Sequence, residues 1–142
     1  MTIGVPDLAQ LPRCSALIGG EAGQGSGAEV AHIYPATGAA TADIRLSSPV
    51  DVERAVIAAR DAAPAWRALP GDKRRDLMFA LAAAIEADIA RLAHLSTIEN
   101  GSTAMTAPYM ASDAAQKFRY FGGWADKIHG RTVSTWGGPA HD

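Results

Sequence analysis

One cysteine, no surplus of basic residues and no long apolar run set the outer limits of this 142-residue sequence. A lone thiol, Cys14, closes no internal disulfide, so cross-links cannot hold the fold and a reducing, cytoplasmic setting is expected. It lies in a proline-containing stretch with no histidine or helix start nearby to lower its pKa, and it reads as an inert thiol. Thirteen basic against fifteen acidic residues give a net charge of −2, which offers no electropositive field for nucleic acid or an anionic membrane. No apolar run reaches the ~20 residues that span a bilayer. The first residues lack the charged start and apolar run of a signal peptide. Repeats and low-complexity segments are missing too. None of the four histidines, His32, His94, His129 and His141, stands at metal-ligand spacing from another histidine or a cysteine, which argues against zinc.

What remains is ordinary globular composition, 48% hydrophobic and 20% charged, with a clear periodic order. Residues 1–15 lack a period and read as a loose tail. Ala16-Leu17-Ile18 is a short strand ending at Gly19-Gly20. The following EAGQGSG has alternating glycines at 23, 25 and 27, but the spacing is not that of a dinucleotide fingerprint and no helix follows it. It reads as a flexible hairpin loop. Strands are predicted over 29–34 and 39–46 around Pro35-Ala36-Thr37-Gly38, whose proline and glycine fit a tight reversal. Ala42, Ile44 and Leu46 alternate with Thr41, Asp43 and Arg45, so this arm has one buried and one wet face.

Three amphipathic helices are predicted next. The first opens at Ser48-Pro49-Val50-Asp51, a capping box with proline in the first helical position. Pro64 is expected to stop it, leaving Trp66 and Leu69 in a linker with Trp66 as a hydrophobic anchor. The second and longest spans 72–101, capped by Asp72 and closed at Asn100-Gly101, with Leu77, Leu81, Ile85, Ile89, Leu92 and Leu95 as its apolar stripe. Lys73, Arg74 and Arg75 oppose the helix dipole there, which calls for a carboxylate nearby. The third runs over 109–128, and Gly122-Gly123 inside it implies a bend or the close passage of another backbone. A last strand is predicted over 131–136. The fold class is therefore α+β: an N-terminal β-hairpin, three amphipathic helices and a final strand, with more apolar face than these elements can cover among themselves.

No set of residues in this order can run a reaction. Asp88 and Glu99 lie at the margin of the long stripe, three turns apart, and suit contacts to an arginine or a backbone amide better than acid–base work.

The assembled blocks nevertheless resemble the N-terminal part of the aldehyde dehydrogenase superfamily. Leu17-Ile18-Gly19-Gly20-Glu21 is similar to its "(F/Y)IGGEW" strand, Tyr34-Pro35-Ala36-Thr37-Gly38 to its "NPATG" turn, and 52–66 to its first helix. The blocks 92–101 and 118–132, the latter FRYFGGWADKIHGRT, resemble "LAxLETLENGK" and "LRYFAGWADKIHGRT". The resemblance implies NAD(P)-dependent oxidation of an aldehyde to a carboxylic acid. In that chemistry a cysteine attacks the carbonyl, hydride passes to the nicotinamide, and a glutamate assists water in releasing the acid. Those residues belong to family blocks beyond the matched ones, and Cys14 does not correspond to the nucleophile. No catalytic or coenzyme-binding residue is assigned in this chain. NAD or NADP is expected in the complete enzyme, and none is expected to bind this chain tightly alone.

The resemblance divides the chain into a tail at 1–15, the N-terminal segment of a coenzyme-binding domain at 16–132 and the start of an oligomerisation hairpin at 133–142. It also implies a monovalent cation held by main-chain oxygens of His32 and Ile33 and by Glu99. Tyr34 in place of the usual asparagine and Ser102 in place of the usual lysine are departures from the pattern. The expected partner is a second polypeptide carrying the rest of the enzyme, or further copies of the chain, with no nucleic acid and no membrane. A non-enzymatic module that docks its apolar helical face on another protein is the alternative.

Overall fold

The computed structural model describes residues 16–130. The tail, the strand predicted over 131–136 and the hairpin start at 133–142 lie outside them. The elements are β1 (Ala16–Ile18), β2 (Glu21–Gly23), β3 (Glu29–Ile33), β4 (Ala40–Arg45), α1 (Pro49–Ala68), α2 (Gly71–Ala87), α3 (Ile89–Asn100) and α4 (Thr106–Gly122). The class is α+β, with two antiparallel hairpins where one was predicted and four helices where three were.

β1 and β2 form the extra hairpin, joined by Gly19-Gly20 at φ 63° and 87°. Two successive positive φ values make the tight turn whose twist matches paired strands, and glycine takes them without a steric cost. The first three residues of EAGQGSG are thus β2 and not loop. β3 and β4 pair as predicted, with an irregularity at His32/Ile33 that leaves Thr41 as the extra residue of a bulge. Between them Gly38 at φ 71° donates its N–H to Tyr34 O at 2.8 Å, closing the predicted reversal, and Tyr34 itself is buried.

α1 starts where the capping rules place it. Ser48 Oγ accepts from Asp51 N at 3.3 Å, and Ser48 N donates back to the Asp51 carboxylate at 2.9 Å. Replacing Ser48 with alanine is expected to weaken α1 by about 0.5–2 kcal/mol, read as faster hydrogen exchange of its first-turn amides. Pro64 does not stop the helix, which continues to Ala68 with Trp66 inside it and half-exposed. Proline removes the bond to the Arg60 carbonyl, but Arg60 and Pro64 are both exposed, so water can serve that oxygen.

The long predicted helix is two helices. Asp88 sits at φ −113°, ψ 13°, its N–H turned to Ile85 O at 3.1 Å and its carboxylate chelating the Arg91 side chain. A short acidic side chain that competes for local donors is a poor helix interior, and here it redirects the axis between α2 and α3. Asp72 is not the cap. α2 begins at Gly71 behind Pro70, because a Cβ at Gly71 would lie 2.6 Å from Ala125 O and only glycine admits that approach. α3 closes on Gly101 at φ 75°, as predicted.

α4 starts at Thr106, earlier than predicted. Thr103 serves the first amides, and Pro108 occupies the first turn, where a missing N–H leaves nothing unsatisfied. It ends at Gly122, well before Ile128. Turns at 123–126 follow, and a Cβ on Gly122 would meet Met78 Cβ at 2.9 Å. The glycine pair marks both a bend and a close passage.

α4 packs along α2 and α3. The buried apolar residues are Ala82, Ala93, Leu95, Ile98, Ala107 and Ala115, with Tyr34 from the second hairpin. Small residues let these helices approach closely, and Ile98 is the one large side chain fully buried among the described residues. The predicted stripe is only partly covered, with Leu77 51% and Leu81 43% exposed.

Candidate functional site

The most connected polar centre is the Asp51 carboxylate, 5% exposed at the first turn of α1. Ser26 N and Ser26 Oγ each approach its Oδ2 at 2.7 Å, Ser48 N at 2.9 Å and Ser48 Oγ at 3.0 Å. The two hydroxyls are 2.7 Å apart, so they share their protons between each other and the carboxylate. Arg54 Nη1 adds a cation at 3.5 Å. The Ser26 hydroxyl, then the Ser26 and Ser48 amides, hold the carboxyl far below the usual carboxylate range, against the opposing effect of burial.

Sequence reasoning placed Asp51 in the capping box and missed Ser26. The signal was Gly25-Ser26-Gly27. A Cβ at Gly25 would lie 2.2 Å from Leu46 O and one at Gly27 2.8 Å from it, and Gly27 N donates to Leu46 O at 2.8 Å. The alternating glycines therefore bring the backbone against the end of β4 and present Ser26 to Asp51. The loop is packed against Leu46 and leads into β3 and not into a helix.

Beside this centre an open groove of about 400 Å³ runs between β1 and α1, walled by Leu17, Val52, Val56 and Ala59. Its one charged group is Asp51, whose Oδ2 already takes the serine donors. The groove is mostly apolar, with Asp51 and Ser47 as its polar side chains.

Of the residues predicted to hold a cation, His32 lies in β3, Ile33 at its end and Glu99 at the exposed end of α3. Thr41 Oγ1 is 2.6 Å from His32 Nδ1 and 3.3 Å from His32 O, and His32 Nε2 is buried with no hydrogen-bond partner among the described residues. A Cβ on Gly101 would touch Pro35 Cβ at 3.2 Å, so the end of the β3 strand and the end of α3 are neighbours. Among the described residues no group of three His, Cys, Asp or Glu side chains is placed to hold a metal.

The carboxylate expected near the basic start of α2 is Asp126, which pairs with Arg75, itself also 3.2 Å from Asp76. Arg119 of α4 pairs with Glu86 of α2 (Nε–Oε1 3.1 Å), and each holds the other's charge, lowering the Glu86 pKa and raising that of Arg119. These pairs are partly exposed and screened, so they set register more than stability. Past them Tyr120, Phe121, Trp124 and Ile128 stand more than half exposed, with Tyr120 edge-on to Phe121 at 5.2 Å. No helix among the described residues is long and apolar enough to cross a membrane.

Comparison with known proteins supplies what this geometry lacks. The model of the aldehyde dehydrogenase family matches residues 22–141. Retinal dehydrogenase 2 of Taeniopygia guttata is 39% identical over 103 residues, which are 70% of this chain and 20% of that enzyme. The solved structure of PnpE in complex with nicotinamide adenine dinucleotide superposes with a TM-score of 0.81 at 32% identity, covering 89% of this chain and 26% of that one. Betaine aldehyde dehydrogenase from Staphylococcus aureus, in complex with NAD+, gives 0.79 at 26% identity, with 90% and 26% covered. The described fold matches the N-terminal part of these structures, and the chain spans about a fifth of the curated relative's length.

Proposed function

The chain belongs to the aldehyde dehydrogenase family, and from that premise we propose that it serves as the N-terminal piece of an enzyme that oxidises an aldehyde to a carboxylic acid with NAD(P)+. The nucleophilic cysteine, the glutamate and the coenzyme site belong to family blocks outside the matched residues, and a polypeptide carrying those blocks is the proposed partner. The observation that carries this reading is the pairing of a family match over most of the chain with apolar helix faces left open on α1, α2 and α4. This chain's own part is scaffolding. It offers Val52 and Val56 on one side and Phe121, Trp124 and Ile128 on another as surfaces for the partner. NAD is favoured as coenzyme because two of the matched structures are NAD complexes. A monovalent cation at the His32 and Ile33 carbonyls and Glu99 belongs to the same proposal, supported by the contact between Pro35 and Gly101.

The test mixes this chain with a polypeptide carrying the remaining family blocks and follows aldehyde-dependent NADH formation. A rate well above that of either piece alone is expected. No gain on mixing, with each piece folded, would overturn the proposal. Stable binding without gain would instead favour the second reading, a non-enzymatic module that docks the same exposed side chains on another protein.

A further inference from the structure

α1 is twenty residues long, yet Asp51 is its only buried residue. Its apolar positions Val52 and Val56 are 55% and 64% exposed, and among the described elements its one substantial packing partner is the three-residue β1. The tip of the first hairpin adds little, since a Cβ on Gly19 would only reach ordinary contact with Ala58. Apart from Tyr34, every buried apolar side chain among the described residues lies in α2, α3 and α4, which form a core of their own. Hydrophobic burial therefore fixes the bundle, whereas α1 and the first hairpin are fixed chiefly by the donors converging on one carboxylate.

We propose that Asp51 is a latch, and that the β1–β2 hairpin and α1 open as a unit separately from the α2–α4 bundle. The Ser26 amide and hydroxyl tie the glycine loop to α1, and the Ser48 amide caps α1 on the same oxygen. Gly25 and Gly27 against Leu46 close the same junction from the other side. Removing the carboxylate unfastens the Ser26 loop from α1 and loosens the α1 cap, and touches nothing in the bundle. Such a unit is poised to change its orientation when a partner covers its groove.

Hydrogen exchange on the full chain tests this. In Asp51→Ala no acceptor remains for the serine donors. Amides of 16–26 and of α1 are expected to exchange about ten- to a hundredfold faster, while protected amides of α2–α4 change less than about twofold. Equal acceleration throughout, complete loss of protection including the bundle, or no change in α1 would each overturn the proposal. The wild-type chain gives a second reading that needs no substitution. As denaturant is raised below the unfolding transition, α1 amides should exchange through an opening with a smaller denaturant slope than amides around Ile98. A single shared slope and free energy would overturn it as well.

Discussion

Replacing Ile98 with alanine is expected to lower the stability of the helical bundle by about 2–5 kcal/mol, the largest effect of any single side-chain truncation among the described residues. Ile98 has no solvent exposure and sits in α3 where α4 packs against it. The other buried apolar residues of these helices are alanines, Leu95 aside. Alanines have no rotamers with which to fill a vacated volume, so the cavity persists and its cost adds to the lost transfer energy. Against a typical net stability of about 5–15 kcal/mol, the variant keeps little margin. Urea unfolding followed by helical circular dichroism measures it, with Ile98→Val as a graded control expected to cost about 0.5–1.5 kcal/mol. If both variants fell within error of the parent, Ile98 would not be the centre of the core.

Gly122→Ala should also destabilise, against the usual preference of helices. In an exposed helix interior alanine gains up to about 1 kcal/mol over glycine. Here the new methyl would stand 2.9 Å from Met78 Cβ and 3.1 Å from two ring carbons of Phe79. Met78 Cβ is fixed to the α2 backbone and cannot swing away, so α2 and α4 must separate. Overpacking of that kind costs about 1–3 kcal/mol and outweighs the propensity gain. Gly123→Ala is the control. Its φ of −61° is helical, and its added methyl would meet only carbonyls of its own preceding turn at 3.3–3.4 Å. It should be neutral or mildly stabilising in the same unfolding assay, and a Gly122 variant as stable as the Gly123 variant would refute the close approach.

Both effects belong to the α2–α4 core and neither touches Asp51. They therefore bear on the bundle alone, while the exchange behaviour of α1 reports the latch. The complementation assay depends on both regions, because the open faces of α1 and α4 belong to different parts of the structure. A bundle weakened at Ile98 should lose complementation together with its helical signal, so stability must be measured beside activity.

Much of this chain could be read from its residues in a row. The α+β class, the reversal at Pro35 to Gly38, the capping box at Ser48 and Asp51, and the helix end at Gly101 depend on dihedral preferences and hydrogen bonds within four or five residues. Those neighbours are fixed by covalent geometry. The family was legible for a different reason, since its blocks are runs of consecutive residues, FRYFGGWADKIHGRT above all. Even the break at Asp88 left a trace, because the apolar spacing changes there from fours, over Leu77, Leu81, Ile85 and Ile89, to threes, over Leu92 and Leu95.

What only the tertiary structure decided is which segments meet. Gly71 against Ala125, Gly122 against Met78, Pro35 under Gly101 and Ser26 on Asp51 are contacts across 25 to 66 positions of sequence, and no local period encodes them. They explain why α2 begins at Gly71, why α4 stops at Gly122 and why a glycine loop is part of a polar junction. A glycine shows in sequence only that a side chain is missing. The atom occupying that space becomes known when the chain has folded around it.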